Sequence, residues 1–202
     1  MSVWLSVLEK PRNSRIFKME TTPIKIHCHC KRLHLVLSMP SSSFPLSSAF
    51  CYCSSCRHST GQLAASFAVI PLDPATLDIG AHHLSHYETS NHRVRYFCPQ
   101  CGANVLDFDK SDGMWRVCTG IMDETEGLLK RDQIWIADTL DGGLALWLEG
   151  TGTRYLIGPG SEVVHKDHEI LKATSPDSPL PLEARLTCRC HCGDVEFAIT
   201  PP

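Results

Sequence analysis

Residues 98–102 read Cys98-Pro-Gln-Cys101-Gly102, and the fold turns on this pentapeptide. A two-residue spacer lets both sulfurs face one metal ion while backbone N–H groups point at the thiolates, and Gly102 can take the positive φ that such a turn needs. That is the form of a zinc knuckle. A knuckle brings two ligands and a closed structural site needs four, so a second pair of thiols has to come from elsewhere in the chain. Cys28 and Cys30, a C-x-C on one strand-like run, are the economical partners for a four-Cys structural site. Read instead as ordinary buried thiols, these residues would leave four cysteines at metal spacing unexplained.

A second group stands at Cys51-Tyr-Cys-Ser-Ser-Cys-Arg-His58, with three thiols in six residues. Three thiolates do not complete a tetrahedral shell. The fourth position is a protein ligand, with His58 the candidate two residues beyond Cys56, or a disulfide partner, or a vacancy where chemistry happens. An open position distinguishes catalytic from structural zinc, and it admits a substrate thiol that the metal deprotonates near neutral pH. Cys51, Cys53 and Cys56 are therefore the catalytic candidates as well as metal ligands.

The chain of 202 residues has eleven cysteines and 43% hydrophobic residues, enough for one good-sized core. The cysteine count is odd and the spacing is crowded, and the first ten residues lack the basic start and long apolar stretch of a signal peptide. Metal or redox chemistry in a cytoplasmic setting is the expectation, because a reducing compartment does not maintain a disulfide framework. No apolar run approaches the roughly 20 residues that span a bilayer. A formal charge of −3 without any basic run argues against nucleic acid as the main partner. Cys118 lies in an apolar run and reads as a packed core thiol. His27, His29 and His34 flank the first C-x-C and are expected to be solvated or to support the ligands from behind, while His82, His83 and His86 read as a surface loop. The tryptophans, Trp4, Trp115, Trp135 and Trp147, read as core or edge packing.

Alternating apolar positions recur at 24–26, 33–37, 65–70, 93–97, 115–119 and 133–136, separated by Pro, Gly, Ser and Asn clusters, so the fold is expected to be mainly β with few short helices. Helical signal is limited to 123–130 and 161–172. Residues 1–22 read as a disordered N-terminal extension; 1–19 carry four basic residues against one acid, which suits an upstream extension before a second start at Met19, or a poor mitochondrial presequence. A zinc domain over 23–158 and a linker over 159–186 follow, the linker marked by the Pro/Ser-rich Ala173 to Glu183. The stretch LTCRCHCGDVEFAI, Leu186 to Ile199, then reads like a second copy of IKIHCHCKRLHLVL, Ile24 to Leu37. Residues 187–202 are expected to be the truncated start of a second repeat; the alternative is that Cys188, Cys190 and Cys192 cap the first domain.

The succession of C-x-C, C-x-C-x2-C-R, YETSNHRVRYFCPQCG (Tyr87 to Gly102) and GIMD (Gly120 to Asp123) resembles the glutathione-dependent formaldehyde-activating enzyme family, also called the CENP-V/GFA domain family. The resemblance covers roughly residues 24–150. It implies an Mss4-like zinc-binding β fold with two zinc ions, one structural on Cys28, Cys30, Cys98 and Cys101 and one catalytic on Cys51, Cys53 and Cys56. It also implies carbon–sulfur lyase chemistry of the S-(hydroxymethyl)glutathione synthase type, with glutathione or another small thiol plus an aldehyde as partners. Arg57, the nearest cation to the three-Cys loop, is the candidate for a glutathione carboxylate; a solvated arginine is the alternative. Two departures stand out: Lys31 occupies the place of a usual Gly after the first C-x-C, and Gln133 that of a common His. A non-catalytic zinc interaction or scaffold module is the competing function, and a sensor that releases zinc on oxidation of Cys51, Cys53 and Cys56 is a third.

Overall fold

The computed structural model describes residues 20–72, 83–139, 143–148, 152–171 and 185–200. Residues 1–19, His82 and the stretch Ala173 to Glu183 lie outside these. The described chain is mainly β, with a seven-stranded sheet, two two-stranded hairpins and one α-helix.

Strands β1 (Thr21–His27) and β2 (His34–Pro40) form the first hairpin, with Ile24 opposite Leu37 and Ile26 opposite Leu35. Side chains alternate across a strand, so Ile24, Ile26, Leu35, Leu37 and Met39 all point to one face and are buried, while Val36 on the other face is exposed. The seven-stranded sheet is ordered β5-β6-β7-β8-β4-β3-β9, where β3 is Leu46–Cys51, β4 Ala65–Ile70, β5 Ser85–Ser90, β6 Arg93–Phe97, β7 Asn104–Asp109, β8 Met114–Cys118 and β9 Leu129–Ile134. The buried face of the hairpin packs with Ala68, Ile70, Val105, Leu106, Trp115 and Val117 of this sheet into one core. Apolar burial stabilises this contact at about 25 cal/mol per Å².

The GIMD segment fastens the hairpin to the sheet from the other side. Ile26 bridges Met122, the Asp123 N–H donates to the Lys25 carbonyl, and His27 Nδ1 lies 2.5 Å from Asp123 Oδ1. His27 thus meets a carboxylate and no metal group, in keeping with its alternation away from Cys28.

The two expected helical stretches are not α-helices. Residues 123–128 are turn and coil leading into β9, and within 161–171 only Glu169–Leu171 forms a single 3-10 turn. The α-helix lies instead at α1, Ser54–Thr60, inside the three-Cys loop. Its seven residues are too few to show an amphipathic period, and its ends are set by local chemistry: Cys53 Sγ caps the N-terminus by accepting from the Cys56 N–H, and Gly61 ends it at φ 67°. The expected linker from 159 onward is not free of the domain either. Val164 and Leu171 are buried with Tyr52, Ala64, Ile136 and Ala145 in a second cluster, so packing continues to Leu171. Last, β10 (Leu186–Arg189) and β11 (Glu196–Ile199) make the second hairpin.

Two neighbours on β2 separate the buried face from the solvated one. Leu35→Ala is expected to cost about 2–5 kcal/mol, whereas Val36→Ala should stay within about 0.5 kcal/mol, as read from denaturant midpoints of the two variants.

Candidate metal centres

The knuckle and the first hairpin meet at the edge of the core. In the turn after β1, the Lys31 N–H donates to the Cys28 carbonyl and the Leu33 N–H to Cys28 Sγ, which orients the first pair of thiols. Lys31 sits at φ 61°, so the departure from Gly leaves the left-handed turn in place, at the cost of a less favourable residue. In the knuckle the Gly102 N–H donates to the Cys98 carbonyl, with Gly102 at φ 71°. Cys28 Sγ lies 3.4 Å from Cys30 Sγ, and Cys30 Sγ lies 3.7 Å from Cys98 Sγ. The sulfurs of Cys28, Cys30, Cys98 and Cys101 all fall within 4.8 Å of one another. Four thiolates bound at about 2.3 Å around one tetrahedral ion sit about 3.8 Å apart, so this set fits zinc without rearrangement. The Cys101 thiol is held down at about 6, first by the Ala103 N–H and then by the Cys30 N–H, which favours the metal-binding thiolate.

Cys51 ends β3, and Cys53 and Cys56 open α1; their sulfurs also lie within 4.8 Å of one another. His58 is not in this group, so the close set remains three thiols. The loop is braced from below. Tyr52, between the first two ligands, is fully buried and its hydroxyl donates to Gln133 Oε1 at 2.8 Å, so Gln133 supports the ligand loop through Tyr52. Arg57 Nε donates to the Tyr52 carbonyl at 3.0 Å, and Asp138 Oδ2 accepts from the Ser54 N–H at 3.2 Å.

A cavity of about 430 Å³ opens onto the three thiols, a size usual for small-molecule sites. Its wall is apolar at Val69, Ile134, Trp135 and Pro159 and hydroxylated at Ser47, Ser48, Thr89 and Ser90. Trp135 is partly exposed and held at φ 61°, and Trp147 is largely exposed, so of the described tryptophans only Trp115 is core. Arg57 does not line this cavity; Arg93, Arg95 and Arg116 do. These three escape a reading of cations near the cysteines in sequence, although the R-x-R spacing at 93 and 95 puts two on one face of β6. Asp107, fully buried on β7, gathers them: Arg93 Nη1 donates to Asp107 Oδ1 at 2.5 Å, Arg95 Nη1 lies 3.7 Å from Asp107 Oδ2 and Arg116 Nη1 lies 4.0 Å from Oδ1. Arg93 also pairs with Asp109, and Arg116 with Asp112.

Arg95 reaches the metal group itself. Its Nη2 donates to Cys56 Sγ at 3.2 Å, its guanidinium lies over the Phe67 ring at 5.2 Å, and it is almost wholly buried. Its Nε and Nη1 have no hydrogen-bond partner, so its charge is directed to Cys56 and Asp107 without saturating either. The thiols divide their protons unequally: hydrogen bonds from Cys51 and Cys56 pull Cys53 far below the usual thiol range, with Arg95 a smaller contribution, and the same sharing pushes Cys51 far above it. Cys118, sealed in the core beside them, is pushed up to about 12 by burial, as suits a packing thiol.

A model of the family described as glutathione-dependent formaldehyde-activating enzyme matches residues 23–138, more than half of the chain and all seven clustered cysteines. The chain belongs to this family. No curated protein matches it in sequence. For a member of the glutathione-dependent formaldehyde-activating enzyme family, both clusters are compatible with zinc, and the matched region runs from β1 through the turn that holds Asp138.

Two outcomes test the electrostatics. Zinc binds thiolates, while sharing of protons pushes Cys51 and Cys56 up and pulls Cys53 down, so zinc entering this group displaces protons. Affinity at this group should therefore fall steeply on acidification below neutral pH, read by chelator competition on the full chain that resolves the two sites. Arg95→Gln in the otherwise unchanged chain should weaken zinc at the three-Cys group about 10–100-fold and leave the four-Cys group unaffected, as read by chelator competition that resolves the two sites.

Proposed function

We propose that the chain is a zinc-dependent enzyme of the carbon–sulfur lyase type that joins glutathione, or a similar small thiol, to formaldehyde or another aldehyde. In this reading Cys28, Cys30, Cys98 and Cys101 hold a structural zinc within an Mss4-like fold, and Cys51, Cys53 and Cys56 hold a catalytic one. The observation that carries it is the three-thiol group without a fourth close protein ligand among the described residues, at the floor of a cavity of small-molecule size. All eleven cysteines are free thiols, which agrees with a reducing cytoplasmic setting. Among the described residues no helix is long and apolar enough to cross a membrane.

Zinc at this position would supply Lewis acidity that favours the deprotonated form of a thiol. The residues of the chain do the rest. Arg93, the most exposed of the three cavity arginines, offers an anionic substrate a cation at the wall, and the hydroxyls of Ser47, Ser48, Thr89 and Ser90 offer hydrogen bonds to its polar groups. Trp135, Ile134, Val69 and Pro159 present an apolar surface that excludes water from the reacting atoms. The new S–C bond forms from the sulfur lone pair, the carbonyl π pair moves to oxygen, and the thiol proton ends on that oxygen. Holding both reactants in one cavity turns an encounter of two molecules into a reaction within one complex. Arg57, outside the cavity lining, acts through the Tyr52 carbonyl as a brace for the ligand loop.

The competing scaffold reading would be favoured by a fourth protein ligand closing the shell. What approaches Cys56 is instead a buried guanidinium, which cannot ligate a metal. The test is exchange spectroscopy by NMR on formaldehyde and glutathione with the zinc-loaded chain. Faster interconversion of free and S-hydroxymethylated glutathione is expected, abolished in Cys53→Ser, with quenching of Trp135 fluorescence on adding glutathione. A zinc-loaded chain that neither binds glutathione nor speeds exchange would leave the scaffold module.

A further inference from the structure

The seven-stranded sheet has a second cavity on the face turned away from the three thiols. Side chains alternate along each strand, and the register puts Cys51, Phe67, Val69, Arg116 and Ile134 on one face, where they line the cavity at the thiols. Leu46, Phe50, Ala68, Val117, Leu129 and Arg131 point to the other face, which carries the core shared with the first hairpin. On that face, between His29 in the turn of the hairpin and Leu148, lies a cavity of about 830 Å³, within the range of small-molecule sites. Among the described residues Phe67 is the one that lines both cavities.

Arg131 sets the charge of this second cavity. A guanidinium stays protonated in proteins, and taking it partly out of water is costly unless a partner compensates. The other buried or partly buried arginines among the described residues all have one: Arg57, Arg93, Arg95, Arg116 and Arg154 each donate to an oxygen or a sulfur of the protein. Arg131 is partly buried as well, yet its guanidinium has no hydrogen bond or ion pair among the described residues. Asp132, its neighbour in sequence, stands on the opposite face and accepts from the Thr153 N–H. No aspartate or glutamate among the described residues lines the cavity, so the missing counter-charge is not supplied there. Asn104 and Gln62 bring side-chain amides to the same space. Phe50, Ile121, Leu129 and Leu148 give it an apolar wall, and each is only partly buried by the protein itself.

We propose that this cavity is a second small-molecule site, which takes an organic monocarboxylate with an aromatic or aliphatic body, its carboxylate on Arg131 and its body against Phe50 and Leu129. The planar fork of a guanidinium matches a carboxylate through two parallel hydrogen bonds. One unpaired arginine offers one positive charge, which balances a monoanion and leaves a phosphate dianion half-compensated. The apolar wall gains by covering a hydrocarbon body and gains nothing from a bare inorganic anion. Such a ligand stands across the sheet from the thiols, so this site is separate from the one where the reaction is placed.

The test is amide NMR of the zinc-loaded chain titrated with benzoate, benzyl alcohol and inorganic phosphate, with no aldehyde present. Benzoate is expected to shift the signals of Asn104, Gln62 and Arg131 and to leave those of Thr89 and Ser90 in place. Benzyl alcohol has the ring without the charge and phosphate the charge without the ring, and each should bind about tenfold more weakly or worse. Arg131→Gln should weaken benzoate about tenfold or more, and Arg131→Lys, which keeps the charge and loses the fork, should fall between that variant and the unchanged chain. Benzyl alcohol or phosphate binding as tightly as benzoate, benzoate binding unaltered in Arg131→Gln, or no shift at these residues would each overturn the proposal. Displacement of benzoate by glutathione would overturn it too, by making this cavity part of the substrate site. None of these readouts needs turnover, so this site and the thiol–aldehyde reaction stand or fall separately.

Discussion

Two thiol pairs, 68 residues apart at Cys30 and Cys98, meet at 3.7 Å, and the rest of the structure hangs on that meeting. A two-stranded hairpin is marginal in water by itself, and β1–β2 gains stability only by laying Ile24, Ile26, Leu35 and Leu37 on the sheet. The thiol cluster fixes where it lies. Cys28 and Cys30 in the turn, with the Ile26–Met122 bridge and the His27–Asp123 contact just before them, pin the turn end of the hairpin against the knuckle and the GIMD segment. The same chemistry explains the second hairpin by contrast. It has the turn, the pairing and the thiols, yet its apolar face stays in solvent because no knuckle stands opposite it among the described residues.

The second centre is governed by charge. Zinc with three thiolates carries one net negative charge, and removing such a group from water is costly unless a counter-charge is close. Arg93, Arg95 and Arg116 are matched by Asp107, Asp109 and Asp112, so the cluster is balanced overall, and the charge that faces the thiols is the Arg95 guanidinium donating to Cys56 Sγ. Without metal the three thiols must share protons, which is why Cys53 is driven down while Cys51 is driven up. The arrangement is prepared for a cation, and Arg95, buried between Cys56 and Asp107, links the thiols to the arginine–aspartate cluster.

Much of this was legible in the residues. C-x2-C-G and C-x-C spacing gave both thiol groups, because ligand geometry is local and tolerates few spacings. Period-2 alternation gave β1, β2, β4, β6 and β8 and touched only the last two residues of β9, and it did not mark β3 or β7. It missed β5, whose SHYETS is almost wholly polar, since an edge strand has little to bury. It missed α1 because a seven-residue helix held by a cysteine cap and Gly61 shows no apolar period. Arg57 looked like the substrate cation because it is adjacent in sequence, but its guanidinium turns back onto the Tyr52 carbonyl.

The sequence by itself determined the family, the mainly β class and the grouping of seven cysteines into four and three, because each depends on spacings of a few residues. Tertiary structure alone decided which cations stand at the open thiols. Arg93 and Arg95 on β6 and Arg116 on β8 come together only because Asp107 on β7, between those strands, collects them in a buried pocket. It also decided that His58 stays outside the three-thiol group and that the second hairpin keeps its apolar face in solvent. The physical reason is the same in each case: strand order sets which distant side chains share a low-dielectric site, and no local spacing encodes strand order.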